Sequence, residues 1–202
     1  MEEIIKREFY LRNGLDVARD LLGKIIVREI NEEKFFFRIV ETEAYLGPED
    51  KGAHSYGGKI TPRTKPLFEE GGITYIYLIY GMYHCLNVVA NKMNVPHCIL
   101  IRAVEPLDEK SFIFSKANRQ IKSKKLEDLT NGPGKLCKAL KIDKTLNEID
   151  VTKKGPLYIL EGIKPEKIVM DKRINIDYAE EYIDKEWRFY VEGNSYVSVL
   201  KK

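Results

Sequence analysis

Cysteine is scarce in this chain of 202 residues, and its three copies, Cys85, Cys98 and Cys137, stand far apart. No Cys-x-x-Cys pair exists, which argues against zinc or iron–sulfur ligation by a local motif. No metal site and no cofactor are expected. An odd set of separated thiols fits a reducing cytosol. Long hydrophobic runs are missing as well. The opening Met1-Glu2-Glu3-Ile4-Ile5-Lys6 starts no apolar stretch, so neither a signal peptide nor a membrane span is expected. A strong charge of one sign is also missing. The 34 basic and 31 acidic residues leave a net charge of +3, so any electrostatic case must come from clustering. The Gly-x-x-x-x-Gly-Lys-Ser/Thr spacing is absent, and nucleotide hydrolysis is not indicated. No repeat or low-complexity tract appears. The 44% hydrophobic content fits one large domain over residues 1–202 better than two.

The most informative stretch is Phe35-Phe36-Phe37-Arg38-Ile39-Val40-Glu41-Thr42-Glu43-Ala44-Tyr45-Leu46, closed by Gly47-Pro48. It reads as a strand that stops at a loop. Simple alternation puts Phe35, Phe37, Ile39, Glu41, Glu43 and Tyr45 on one face. Glu41 is as consistent with a solvated strand end as with a site. Glu43, between an apolar row and a loop, stands where a general base would be held rigidly against a planar substrate.

Upstream, Leu15, Ala18, Leu21 and Leu22 recur at helical spacing, with Asn13 as a candidate cap and Gly23 as a stop. Residues 24–30 and the run from Phe35 flank a polar turn, Asn31-Glu32-Glu33, and predict an antiparallel hairpin. Residues 47–72 show no periodicity and carry His54, Lys59, Arg63 and Lys65 on a long loop. A lone loop histidine is ordinarily just a surface residue. Residues 73–80 predict a strand with Tyr75, Tyr77 and Ile79 on one face, and residues 85–90 its return. Ordinary sheet packing suffices for Tyr75. The tip between them, Tyr80-Gly81-Met82-Tyr83, is unusual because turns are mostly polar. Apolar groups presented there suggest insertion into something.

Cys98-Ile99-Leu100-Ile101-Arg102-Ala103-Val104 predicts a central strand, and its buried arginine needs an anion, with Glu43 and Glu105 as candidates. Residues 108–125 look helical and end in Lys116, Arg119, Lys122, Lys124 and Lys125, either a solvated helix end or a phosphate contact. Asn131-Gly132-Pro133-Gly134-Lys135 feeds a further helix whose free amides suit a phosphate oxygen, with Leu136, Ala139 and Leu140 as its packed face. Residues 156–160, 187–191 and 195–200 predict late strands.

A strand-end carboxylate, several tyrosines, an aromatic tip, a buried arginine and a glycine loop together suit an enzyme that extrudes a base from DNA. The sequence resembles the alkyladenine (3-methyladenine) DNA glycosylases of the monofunctional, non-helix-hairpin-helix type. The resemblance runs through residues 38–50, Ala53-His54-Ser55, Thr61-Pro62-Arg63, residues 77–83 with Asn87, residues 100–107, residues 132–137 and Arg188-Phe189-Tyr190-Val191. It covers nearly the whole chain.

The resemblance implies an α+β fold, a curved and mainly antiparallel sheet flanked by helices with a protruding DNA-wedging turn. It implies Glu43 as the base that activates water and Arg102 as the residue that holds that water or carboxylate. Tyr45, His54 and Tyr77 would enclose the flipped base, and Asn87 would screen against the exocyclic amine of guanine. Tyr80 would intercalate, with Met82 and Tyr83 beside it. Arg63, Gly134 and Lys135 would meet the DNA backbone. The implied partner is duplex DNA with damaged purines, met by a monomer in the cytosol, on the nucleoid in a prokaryote. Hydrolysis without strand cleavage is expected, because no lysine shows a Schiff-base arrangement. A non-catalytic lesion-binding protein of the same fold is the alternative, and a hydrolase of free nucleosides a third reading. Thr64, Leu67 and Asn175 depart from the family pattern, which has asparagine, methionine and glycine there. The first two bear on loop contacts; the third looks structural.

Overall fold

The computed structural model describes residues 3–121 and 125–200. Lys122 and Lys124 of the basic cluster lie outside them. The chain opens with two short helices, α1 (Arg7–Tyr10) and α2 (Gly14–Asp20). Asn13 caps α2 by accepting from the Leu15 N–H, as its side chain predicts. Strands β1 (Ile25–Ile30) and β2 (Glu33–Leu46) follow, joined by Asn31 and Glu32 with φ of 51° and 66°. Positive φ at both residues is the two-residue hairpin turn whose twist matches the strands. Then come β3 (Thr74–Ile79), β4 (Tyr83–Ala90), β5 (His97–Pro106), α3 (Glu109–Arg119), α4 (Pro133–Ala139), β6 (Leu157–Leu160), β7 (Ile168–Asp171) and β8 (Arg188–Val191).

All the strand pairs are antiparallel, and the sheet runs β3-β4-β5-β2-β1-β6, with β8 on β2 and β7 on β8. The architecture is α+β. One face of the sheet is covered by α2 and α4, and Val17, Ala18, Leu21, Leu136, Ala139 and Leu140 are all buried there against the strands. At roughly 1.5–3 kcal/mol for each buried valine or leucine, this face contributes strongly to folding. No helix among the described residues is long and apolar enough to cross a membrane.

The opposite face carries the site, and β2 reaches it by breaking its own alternation. Phe35, Phe37 and Ile39 pack in the helix-covered core, but so do Ala44 and Leu46, while Tyr45 joins a separate cluster with Leu67, Tyr75, Val89 and Cys98. The single face expected for Phe35 through Tyr45 is therefore wrong. Pairing with β5 shifts register between Ile39 and Glu41 and again before Thr42. This irregularity coincides with the point where β2 exchanges β1 for β8 as its neighbour. The face of every later side chain is reversed there.

Other expectations are corrected in smaller ways. The helix expected over 108–125 ends at Arg119, where Gln120 turns left-handed at φ 46°. Residues 195–200 form no strand. Their backbone is claimed elsewhere, since the Ser198 N–H donates to Glu41 at 2.7 Å. Strand β7 has no strong periodicity and was not expected.

Candidate active site

Four adjacent strands build the floor of a cleft of about 530 Å³, in the size range of small-molecule sites. Glu43 pairs with Leu100, Leu100 with Asn87, and Asn87 with Tyr75, so these residues form one row across β2, β5, β4 and β3. Tyr77 pairs with Cys85 in the next row toward the hairpin tip. Tyr45, Tyr75, Tyr77, Cys85, Asn87, Leu100 and Arg102 all line the cleft. Tyr75, expected to be plain packing, is thus a wall of the site.

Glu43 is fully buried on the cleft side of this floor. Its Oε1 accepts the Ile174 N–H at 2.7 Å. Its Oε2 accepts the Tyr45 hydroxyl at 2.9 Å and Arg102 Nη1 at 3.3 Å. Burial alone would lower the Arg102 pKa, but the charges of Glu43 and then Glu41 outweigh it, and the net shift is upward. Burial, and then the charge of Glu43, hold the Tyr45 hydroxyl protonated, with a pKa well above its ordinary value. Glu41 is no solvated strand end. It is fully buried and pairs with both Arg102 and Arg188. Glu105 is not the partner of Arg102; it pairs with Arg38 at 3.2 Å.

The walls are set by the loops. Arg173 grips Asp50 through two bonds of 2.6 and 2.8 Å, both side chains fully buried. The same guanidinium lies 4.7 Å from the Tyr45 ring centre and 5.0 Å from that of Trp187, fixing the tyrosine from behind. His54 leaves the surface role of a lone loop histidine. Its Nδ1 meets the Tyr75 hydroxyl at 2.9 Å and its Nε2 meets Arg63 at 3.3 Å. Arginine can only donate, so Nε2 accepts and Nδ1 carries the proton. Desolvation, and then the Arg63 charge, push the His54 pKa down to about 4. Arg63 itself turns toward the aromatic wall, 5.2 Å from the Tyr77 ring centre.

The cleft mouth is flanked by the β3–β4 tip. Tyr80 and Met82 are 79% and 66% exposed and Tyr83 is 44% exposed. Tyr80 and Gly81 take φ of 52° and 70°, which turns the chain and projects the side chains outward. Gly132, Gly134 and Lys135 line the rim beside Tyr80 and Tyr83. Lys135 Nζ donates to Asn131 at 2.7 Å.

A family model for methylpurine-DNA glycosylase (MPG) matches residues 8–195. The chain belongs to the methylpurine-DNA glycosylase family. A protein of Clostridium botulinum strain Alaska E43, provisionally named a 3-methyladenine DNA glycosylase, is 50% identical over 199 residues, covering 96% of this chain and 98% of its own length. One of Natranaerobius thermophilus with the same provisional name is 48% identical over 194 residues, covering 95% and 97%. The resemblance read in the sequence is therefore correct, and the chain is a DNA glycosylase.

Within this glycosylase the departures from the family pattern have structural places. Asn175 takes φ 60°, the left-handed region that glycine adopts freely, so the expected glycine and the observed asparagine answer one backbone demand. Thr64 accepts the Thr61 N–H at 2.9 Å and staples its own loop. Leu67 is fully buried behind Tyr75. Sequence reasoning missed Asp50, Arg173 and Arg188 as site supports. Asp50 and Arg188 lay within the family motifs, but their partners stand 123 and 147 residues away.

Proposed function

We propose that this glycosylase extrudes a damaged purine from duplex DNA and seats it in the tyrosine-walled cleft. A water activated by Glu43 then hydrolyses the N-glycosidic bond and leaves an abasic site. The carrying observation is the buried carboxylate of Glu43 beneath a cleft that its own partners, Tyr45 and Arg102, line. A carboxylate offers about four acceptor sites. Ile174, Tyr45 and Arg102 occupy three, which leaves one for the proton of the attacking water.

Positive charge builds on the deoxyribose as the base departs, and a fixed carboxylate stabilises it. Tyr80, with Met82 and Tyr83, fills the gap left in the stack. Tyr45 and Tyr77 bracket the base, and tyrosine faces attract a cationic alkylated purine by about 0.5–2 kcal/mol. His54, neutral above pH 4, adds no repulsion to that charge. Asn87 faces the base edge and screens against guanine. Arg63, Gly134 and Lys135 contact the backbone, and the chain acts as a monomer.

The test is single-turnover incubation with duplexes bearing 3-methyladenine, hypoxanthine or ethenoadenine, scored for abasic product. Glu43→Gln is expected to bind lesion DNA and to lose about 10²–10⁴-fold in excision rate, the usual worth of a general base. Release of none of the three lesions by the unaltered protein would end the proposal. A fully active Glu43→Gln would remove Glu43 from the role of base.

A further inference from the structure

The proposed role of Glu43 leaves a second wholly buried acid, Glu41, without a task. Its Oε1 accepts from Arg102 Nε at 3.2 Å, Arg188 Nη1 at 2.9 Å and Ser198 Oγ at 2.9 Å. Its Oε2 accepts the Ser198 N–H at 2.7 Å. Arg102 consequently has all three guanidinium nitrogens aimed. Nε points to Glu41, Nη1 to Glu43, and Nη2 to Ser198 Oγ at 3.3 Å. Ser198 lies in the irregular segment after β8, whose next residue, Val199, accepts from Arg188 at 2.7 Å.

We propose that Ser198 and Glu41 are positioning residues, and that the C-terminal segment is a latch that fixes the plane of Arg102 against Glu43. The proposal rests on the reading of Glu43 as the base. A guanidinium held by Glu41 at Nε and Glu43 at Nη1 can still rock about the line joining those two contacts. A third anchor on Nη2 stops that motion in a residue that lines the cleft. The serine hydroxyl does two jobs with one proton, donating to Glu41 and accepting from Arg102. Threonine can do the same, and alanine can do neither. Fold stability alone does not call for this arrangement. Well-packed apolar residues often replace a buried ionic network at no loss, so its geometry around Arg102 points to function.

The experiment measures single-turnover excision of ethenoadenine from duplex DNA by the full chain in saturating excess, for wild type, Ser198→Ala and Ser198→Thr. Ser198 is half-buried at the surface, so both variants are expected to fold, which thermal melting checks. Under these conditions the rate constant per bound enzyme is independent of the folded fraction, and an unfolding defect shows instead as a lower active titre. Ser198→Ala is expected to slow excision about tenfold with unchanged affinity for lesion duplex, and Ser198→Thr to restore the rate. An Ala variant as fast as wild type, or a Thr variant as slow as Ala, overturns the latch. A wild-type protein that excises none of ethenoadenine, hypoxanthine and 3-methyladenine overturns the reading of Glu43, and the latch with it; where ethenoadenine alone is not cut, the comparison of variants is made on the lesion that is.

Discussion

Gly134→Ala separates the stability of this protein from its action on duplex DNA. Gly134 is the second residue of α4, and a Cβ built there lies 3.1 Å from Cβ, Cγ and Cδ1 of Tyr83. That is a few tenths of an ångström too close. In a rigid core, overpacking costs about 1–3 kcal/mol. Tyr83 is not in a rigid core: it stands 44% exposed at the start of β4, beside the Tyr80–Met82 tip, and can give way. Alanine also favours the helix over glycine by up to about 1 kcal/mol, less in a first turn. The two effects offset, so global stability is expected to change by less than about 1 kcal/mol. The displacement goes into the β3–β4 tip, the proposed wedge. A 1 Å misplacement can cost about 10²-fold in rate, so a smaller shift is expected to slow duplex excision by up to about tenfold. The same lesion in an unpaired bubble needs no wedge and is expected to be cut at the wild-type rate. The assay is single-turnover excision from both substrates, with Tyr80→Ser as the reference for an impaired wedge. Equal rates of variant and wild type on duplex, or equal losses on duplex and bubble, refute the reasoning.

Asp50→Asn leaves the buried Arg173 guanidinium without its charge partner and is expected to cost about 3–5 kcal/mol in denaturant unfolding. A loss below about 1 kcal/mol, the level of an exposed pair, would show that the pair does not hold the loop. His54 is expected to give stability a pH slope of definite sign. Its folded pKa is about 4 against an ordinary 6.5, so between these values the unfolded chain carries the proton and the folded chain does not. Stability therefore rises from pH 4 toward 6.5, and this contribution is flat above. His54→Asn should flatten that part of the curve, which unfolding at intervals across the window checks; an unchanged slope counts against the assignment.

Alternation placed Tyr75, Tyr77 and Ile79 correctly because β3 pairs with β4 in unbroken register. The same rule failed on β2, where the register shifts near Val40. No local residue marks that shift, which coincides with the exchange of β1 for β8. In β5 the apolar run hides which residues face the cleft, because both of its faces are buried. The strand expected over 195–200 rested on β-branched and aromatic residues. It fails because Glu41, some 157 positions earlier, takes the Ser198 amide. The gathering of Glu43, His54 and the Tyr80–Tyr83 tip around one cleft was legible through the family resemblance. The supports behind them, Glu41, Asp50, Arg173 and Arg188, act through long-range ion pairs that one sequence does not display.

The register shift in β2 has a practical corollary for anyone who would transplant this chemistry. Copying Thr42 to Leu46 into a regular strand would deliver the acid to the wrong side, buried among aliphatics and facing helix α2. The motif and the register shift near Val40 form one heritable unit: the same side chains copied without the shift would point to the other face of the sheet.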